Sequence, residues 1–180
     1  MPELPEVEGY RRYFNRYALR KPIRDVARWD PRLFPGWNAS EIRLRLLGKS
    51  FVRTERRGKY LIAYVDAEQS VVLHFGMTGA LRFHRSAGEI PRHARASILF
   101  ETGALFFTDL RRFGGIWWVE SLGNFPRVQQ LGDDPISGII DTAETLAAKM
   151  AGWYGWMDFP RRVMRTVFPV KIHSKLRNAE

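Results

Sequence analysis

The sequence predicts an α+β protein that is mostly β, an antiparallel β-sandwich or flattened barrel with an N-terminal α-helix and a short C-terminal helical tail. Three observations carry this expectation. Short β-branched and aromatic segments crowd residues 50–121, separated by Gly, Asp, Asn or Ser. Several alternate with a period of two, as strands of a sheet with one buried face do. A helical pattern precedes them, and another follows Gly132.

Taken in order, the chain opens "MPELPEVEG". Pro5 suits the first position of a helix, Glu6 and Glu8 suit its positive end, and arginines follow, which predicts a helix from Pro5 to about Leu19. "IRDVARWD", Ile23 to Asp30, reads as a strand. In "NASEIRLRLLG", Ser40 is the expected cap of a short helix that Gly48 ends. Strands follow in "SFVRTERR", "KYLIAYVD", "SVVLHFGM", "GALRFHR", "RASILFE", "ALFFTDL" and "GIWWVES". Past Gly132, "DTAETLAAKM" reads as a helix capped by Asp141 or Thr142, and the rest is irregular, aromatic and basic. The expected organisation is a sandwich domain over residues 1–136 and a divergent or truncated basic helical tail over residues 137–180.

At 180 residues and 45% hydrophobic, the chain can bury a core. Its 29 Lys and Arg against 19 Asp and Glu leave a formal charge of +10, which favours an anionic partner, with nucleic acid foremost. A basic surface that only keeps the protein soluble is the plain alternative. With no cysteine, disulfides, iron–sulfur clusters and thiolate zinc sites are excluded within the chain. The histidines His74, His84, His93 and His173 lack the close carboxylate spacing of a helical metal motif, so no metal and no cofactor is expected. The start lacks the basic flank and apolar run of a secretory signal, and no apolar stretch approaches the roughly 20 residues that span a bilayer. A soluble, cytoplasmic monomer with no membrane partner is the expectation.

Three constellations bear chemistry. If Met1 is removed, Pro2 presents a secondary amine that can attack a carbonyl carbon. An α-amino group titrates at about 7.7–8.0, close enough to neutrality to be partly unprotonated. Glu3 can then shuttle protons, although the same residues also make an ordinary helix start. In "RTERRGKYL", Arg56, Arg57 and Lys59 flank Gly58, either as a phosphate-contacting turn or as a hairpin with solvated charges. "HFGMTG" and "TDLRRFGG" place Met77, Arg111 and Phe113 beside glycines at strand ends. Such side chains are either core or wedges that enter a duplex, fill the space of an extruded base and hold the kink.

In combination, "PELPEVE", "RRGKYL", "HFGMTGALR", "TDLRRFG" and "LGDDP" resemble, in order and spacing, the formamidopyrimidine-DNA glycosylase family, which includes endonuclease VIII. Leu4 makes the chain look like the formamidopyrimidine branch, and the resemblance covers roughly residues 2–136. It implies a DNA-repair glycosylase and abasic-site lyase that excises oxidised purines such as 8-oxoguanine and formamidopyrimidines from double-stranded damaged DNA. Pro2 is implied as the Schiff-base nucleophile and Glu3 as the proton donor for sugar ring opening. Glu6 is implied to orient the site, and Lys59 to contact phosphate and donate a proton in β-elimination, before δ-elimination. Met77, Arg111 and Phe113 are implied to fill the gap left by the flipped nucleotide, Arg111 facing the orphan base, and His74 and His93 to contact DNA.

The chain departs from the family after about Met150. It has neither a "GNIY"-like segment of the helix-two-turn-helix element nor the cysteines of the usual zinc finger. A catalytically impaired DNA-binding remnant is therefore the second expectation. The residues from Arg161 to Arg177, basic without an acidic member, are a candidate replacement for part of the DNA contact.

Overall fold

A computed structural model of the chain describes residues 1–86 and 88–132. The expected tail helix and the basic stretch beyond it lie outside these residues. Within them, Met1–Leu131 forms one compact unit.

The first helix, α1, spans Leu4–Ala18 and starts one residue before the expected position, because the cap is built by carboxylates rather than by Pro5. Glu3 is its N-cap, and Glu6 Oε2 accepts the Glu3 backbone N–H at 2.7 Å. This satisfies a donor that a helix start otherwise leaves orphaned. Val7, Phe14 and Ala18 form the buried stripe. After β1 (Ile23–Trp29), the short helix α2 (Ala39–Leu46) is capped by Asn38, not by Ser40. Asn38 Oδ1 accepts from Glu41 N–H and Glu41 Oε2 accepts from Asn38 N–H, both at 2.9 Å. That reciprocal pair needs a carboxylate three residues on, and Asn38 has one in Glu41. Gly48, at φ +76°, ends this helical stretch as expected and donates its N–H to the Ile23 carbonyl at 2.9 Å.

Seven further strands follow: β2 (Arg53–Arg57), β3 (Tyr60–Tyr64), β4 (Ser70–His74), β5 (Ala80–His84), β6 (Ala94–Phe100), β7 (Gly103–Thr108) and β8 (Gly115–Val119). They pair antiparallel into two four-stranded sheets, β1-β6-β7-β5 and β2-β3-β4-β8. Phe51, read from sequence as part of β2, instead makes an isolated parallel bridge to Leu19 and is fully buried.

Leu61, Ala63, Leu73, Ile116 and Trp118 of one sheet share a core with Leu81, Ala96, Leu105 and Phe107 of the other and with Phe14 of α1. The architecture is therefore a sandwich. Each large aliphatic side chain fully buried there contributes about 1.5–3 kcal/mol.

The single buried face expected of the sheet does not hold at β3 and β4, where Leu61 to Tyr64 and Ser70 to Leu73 are all buried. The cause is a short helix not foreseen from sequence, α3 (Pro126–Gln129), whose Val128 joins Leu122 and Phe125 over the outer face at Ile62, Val72 and Val119. That sheet is covered on both sides. Among the described residues no helix is long and apolar enough to cross a membrane.

Candidate active site and nucleic-acid interface

Three connections cross from one sheet to the other; besides the long one from β1 to β2 that contains α2, two short ones run from β4 to β5 through residues 75–79 and from β7 to β8 through residues 109–114. The two short loops meet at one end of the sandwich, and the start of α1 and the β2–β3 hairpin belong to the same end. Tyr60, the first residue of β3, pairs with His74, the last of β4, which pairs in turn with Gly115, the first of β8.

The hairpin is docked on α1 by polar contacts. Thr54 Oγ1 donates to Asn15 Oδ1 at 2.6 Å. Arg56 is buried, with Nε 3.6 Å from Glu8 Oε2 and Nη1 donating to the Gly58 carbonyl at 3.0 Å. Hydrogen bonds from Arg11 above all, and from Arg12, hold the Glu8 carboxyl below the usual glutamate range against the opposing effect of burial. Gly58 takes φ +53° at the turn, a conformation glycine adopts without strain.

This docking brings the Lys59 ammonium to Glu3, with Nζ and Oε2 2.7 Å apart. Arg57 pairs with Glu55 instead, Nε to Oε1 at 2.5 Å. Of the three basic residues in the turn, then, Arg56 and Arg57 are engaged structurally and Lys59 faces the helix start. Pro2, half-buried, lies one residue before Glu3, and Met1 ahead of it is exposed. Glu6 reaches this group through the backbone of Glu3, so it fixes where Glu3 sits.

His74 is half-buried beside Tyr60, the ring centroids 4.9 Å apart. Its Nδ1 accepts the Gly76 N–H at 3.3 Å, which leaves Nε2 as the protonated nitrogen of the neutral ring. Burial first, and then the charges of Lys59 and Arg127, lower its pKa from 6.5.

The expected wedge residues stand on the two crossing loops. Met77 is 41% exposed and Phe113 58% exposed, so neither packs in the core. Arg111 is also exposed, its guanidinium carbon 4.8 Å from the Phe113 ring centroid. What unites the loops is Asp109, which is fully buried. Its carboxylate accepts from the Thr78 hydroxyl, from Gly114 N–H at 2.8 Å and from Arg111 N–H at 3.2 Å. The backbones also touch: a Cβ on Gly76 would lie 2.4 Å from the Phe113 carbonyl carbon, so this position takes no side chain.

His93 joins the same assembly through its backbone. At φ +62°, in the left-handed region, its carbonyl accepts Asp109 N–H at 3.1 Å, and Arg95 Nε donates to the Asp109 carbonyl at 2.9 Å. Stacking of Tyr10 on Phe75, centroids 4.5 Å apart, ties α1 to the β4–β5 loop.

The structure thus gathers Glu3 and Lys59 in direct contact, Pro2 and Glu6 beside them in the chain, and His74, Met77, Arg111, Phe113 and the His93 loop at the same end. Sequence reasoning missed Asp109, Thr78 and Arg127. For Asp109 the available signal was an acidic residue inside an otherwise basic loop, "TDLRRFGG".

Comparison with known proteins converges on one family. Residues 1–116 match the formamidopyrimidine-DNA glycosylase N-terminal domain. The formamidopyrimidine-DNA glycosylase of Shewanella halifaxensis is 34% identical over 150 residues, covering 82% of this chain and 54% of that protein. The enzyme of the same name from Thermus thermophilus is 34% identical over 139 residues, covering 76% of this chain and 48% of its own length. Among solved structures, a complex of the Lactococcus lactis Fpg with abasic-site DNA superposes with a TM-score of 0.65 at 26% identity, covering 72% of this chain and 48% of that one. The chain spans about half the length of these relatives. With a family match over most of its sandwich and an assembled group of motif residues at one end, the chain belongs to the formamidopyrimidine-DNA glycosylase family, matching its N-terminal domain.

Proposed function

We propose that this chain carries the catalytic machinery of a bifunctional DNA glycosylase and abasic-site lyase acting on oxidised purines in duplex DNA. The observation that supports this best is the 2.7 Å contact of Lys59 with Glu3, one residue from Pro2. Once Met1 is removed, the unprotonated Pro2 nitrogen attacks C1′ of the damaged nucleotide, the bonding pair from C1′ leaves with the base nitrogen, which takes up a proton, and the Pro2 nitrogen gives up its own N–H proton. Glu3 protonates the ring oxygen as the sugar opens, leaving an iminium between Pro2 and C1′. The hydrogen bond from Lys59 gives its proton a direct route to the Glu3 carboxylate, so the two groups can supply the proton that ring opening takes up at the ring oxygen and one for the departing phosphate oxygen. Loss of a C2′ proton, acidified by the iminium, expels the 3′ phosphate in β-elimination, and loss of the C4′ proton expels the 5′ phosphate in δ-elimination, so the strand is cleaved on both sides of the lesion.

The exposed Met77, Arg111 and Phe113, held on loops locked together by Asp109, suit the space an extruded nucleotide vacates. Unstacking a base costs a few kcal/mol, and side chains already projecting into the gap offset part of it.

Borohydride trapping of the full chain, with Met1 removal verified by mass, tests the proposal on duplexes containing an abasic site or 8-oxoguanine. A covalent adduct with wild type that disappears in Pro2→Gly is the expected result. DNA binding without any adduct identifies instead a binding remnant whose catalytic residues no longer act.

A further inference from the structure

Arg127 has no task in the chemistry above, yet its placement is specific. It is exposed on α3, with its guanidinium carbon 5.3 Å from the Trp117 ring centroid. Trp117 belongs to the outer face that also carries His74: in the β4–β8 register, Val72 pairs with Trp117 and His74 with Gly115.

Gly115 has no side chain, and the indole of Trp117 fills that space. A Cβ on Gly115 would fall 2.1 Å from its outermost ring carbon. The indole therefore lies along the sheet toward His74, and Arg127 rides on it. Tyr60 completes the shelf, 4.9 Å from His74 and 6.3 Å from Trp117, with Phe125 packed 5.7 Å from Trp117. Lys59 directly precedes Tyr60.

We propose that Arg127 is a further DNA-binding residue, which holds a backbone phosphate of the duplex alongside Lys59 and His74. This rests on the DNA-binding reading given above. Three features make a phosphate the fitting ligand. A guanidinium offers a planar fork of donors that matches two phosphate oxygens, whereas the neighbouring lysine acts as a point charge. Stacking on Trp117 orders the side chain in advance, so less rotamer entropy is lost when it binds. Among the described residues no carboxylate pairs with it, in contrast to Arg56 and Arg57 on the adjacent hairpin. The arrangement also places a permanent cation next to a histidine that the same surroundings keep neutral near pH 7, so Arg127 and Lys59 supply charge while His74 supplies a hydrogen bond.

The test is the salt dependence of affinity for a duplex carrying an abasic-site analogue, followed by fluorescence anisotropy for wild type, Arg127→Ala, Arg127→Gln and Arg24→Ala. Arg24 lies on the other sheet, paired with Glu101 at 3.5 Å, and serves as the control for loss of one surface charge. Removing one phosphate contact should lower the slope of log affinity against log salt by about 0.9 and weaken binding several-fold at physiological salt. Both Arg127 variants should show this loss at an unchanged urea midpoint, and Arg24→Ala should match wild type. An Arg127→Gln variant with the wild-type slope, or an equal loss in Arg24→Ala, overturns the assignment to Arg127 alone. Failure of wild type to bind the duplex in a salt-dependent manner overturns the DNA reading itself.

Discussion

Thr78 and Asp109 belong to different sheet-crossing loops, 31 residues apart in sequence, yet the Thr78 hydroxyl donates to Asp109 Oδ1 inside the protein. Asp109 Oδ2 simultaneously accepts from Gly114 N–H, and Arg111 N–H is shared between Thr78 Oγ1 at 3.0 Å and Asp109 Oδ1. One buried carboxylate thus fixes the bases of the loops that carry Met77, Arg111 and Phe113. Replacing Asp109 by Asn sets an amide N–H against donors that need an acceptor. The expected cost is about 1–3 kcal/mol in urea unfolding. In the same variant, fluorescence of 2-aminopurine opposite an abasic site should show a more mobile orphan base, at an unchanged salt slope of binding.

Glu3 and Lys59 should behave in the opposite way. Their side chains are 53% and 34% exposed, and an ion pair in such surroundings contributes at most about 1 kcal/mol. Glu3→Gln and Lys59→Ala are therefore expected to unfold close to wild type in urea. Their rates of strand cleavage, however, should fall on the order of 10²-fold or more, the range that positioned proton transfer contributes.

A pH titration of His74 followed by NMR should give a midpoint below 6.5, with Nε2 carrying the proton of the neutral ring. The folded pKa lies below the unfolded one, so between the two values the unfolded chain binds more protons. Stability is therefore expected to fall as pH drops from about 6.5 through the lowered pKa, and His74→Phe should remove that part of the dependence. A midpoint at or above 6.5 would contradict the burial described.

Glu8 joins α1 to the hairpin, and its partner Arg56 is the less exposed member, at 4%. Substituting Gln removes one countercharge from that buried guanidinium, at an expected cost of about 1–3 kcal/mol in chemical denaturation. Because the Glu8 pKa is depressed by Arg11 and Arg12, its contribution is fully present above the ordinary value of 4.5 and is lost as pH falls through the lowered one. Acid unfolding of Glu8→Gln should lack that component.

Much of the architecture was legible because patterning and packing agree. The β-branched runs with glycine punctuation became the strands of two sheets, and the charge gradient of "PEVEGYRR" became α1. Where the reading failed, a distant partner decided. Ser40 yielded to Asn38 because capping depended on a reciprocal bond with Glu41. The expectation of one buried face gave way at β3 and β4 because Val128, more than fifty residues downstream, covers their second face. At the site, Pro2, Glu3, Lys59 and the wedge residues lie in recognisable motifs. Asp109 stood out only as an acidic residue in a basic loop; its bonds to Thr78 on another loop, like the placement of Arg127 on Trp117, arise from contacts between distant segments.

Capping of α1 by Glu3 has a further consequence for the chain end. With Glu3 fixed by its helix and by Lys59, Pro2 hangs from an anchored residue by a single peptide bond, and its own ring restricts the remaining rotation. In the mechanism proposed above, little conformational entropy is then left for the Pro2 nitrogen to lose, which raises its effective concentration at a carbon held nearby. An added residue shifts the free amine outward by up to about 3.6 Å and returns it to a flexible chain. Even a single residue remaining from a cleaved purification tag is therefore expected to abolish borohydride trapping while leaving the urea midpoint unchanged.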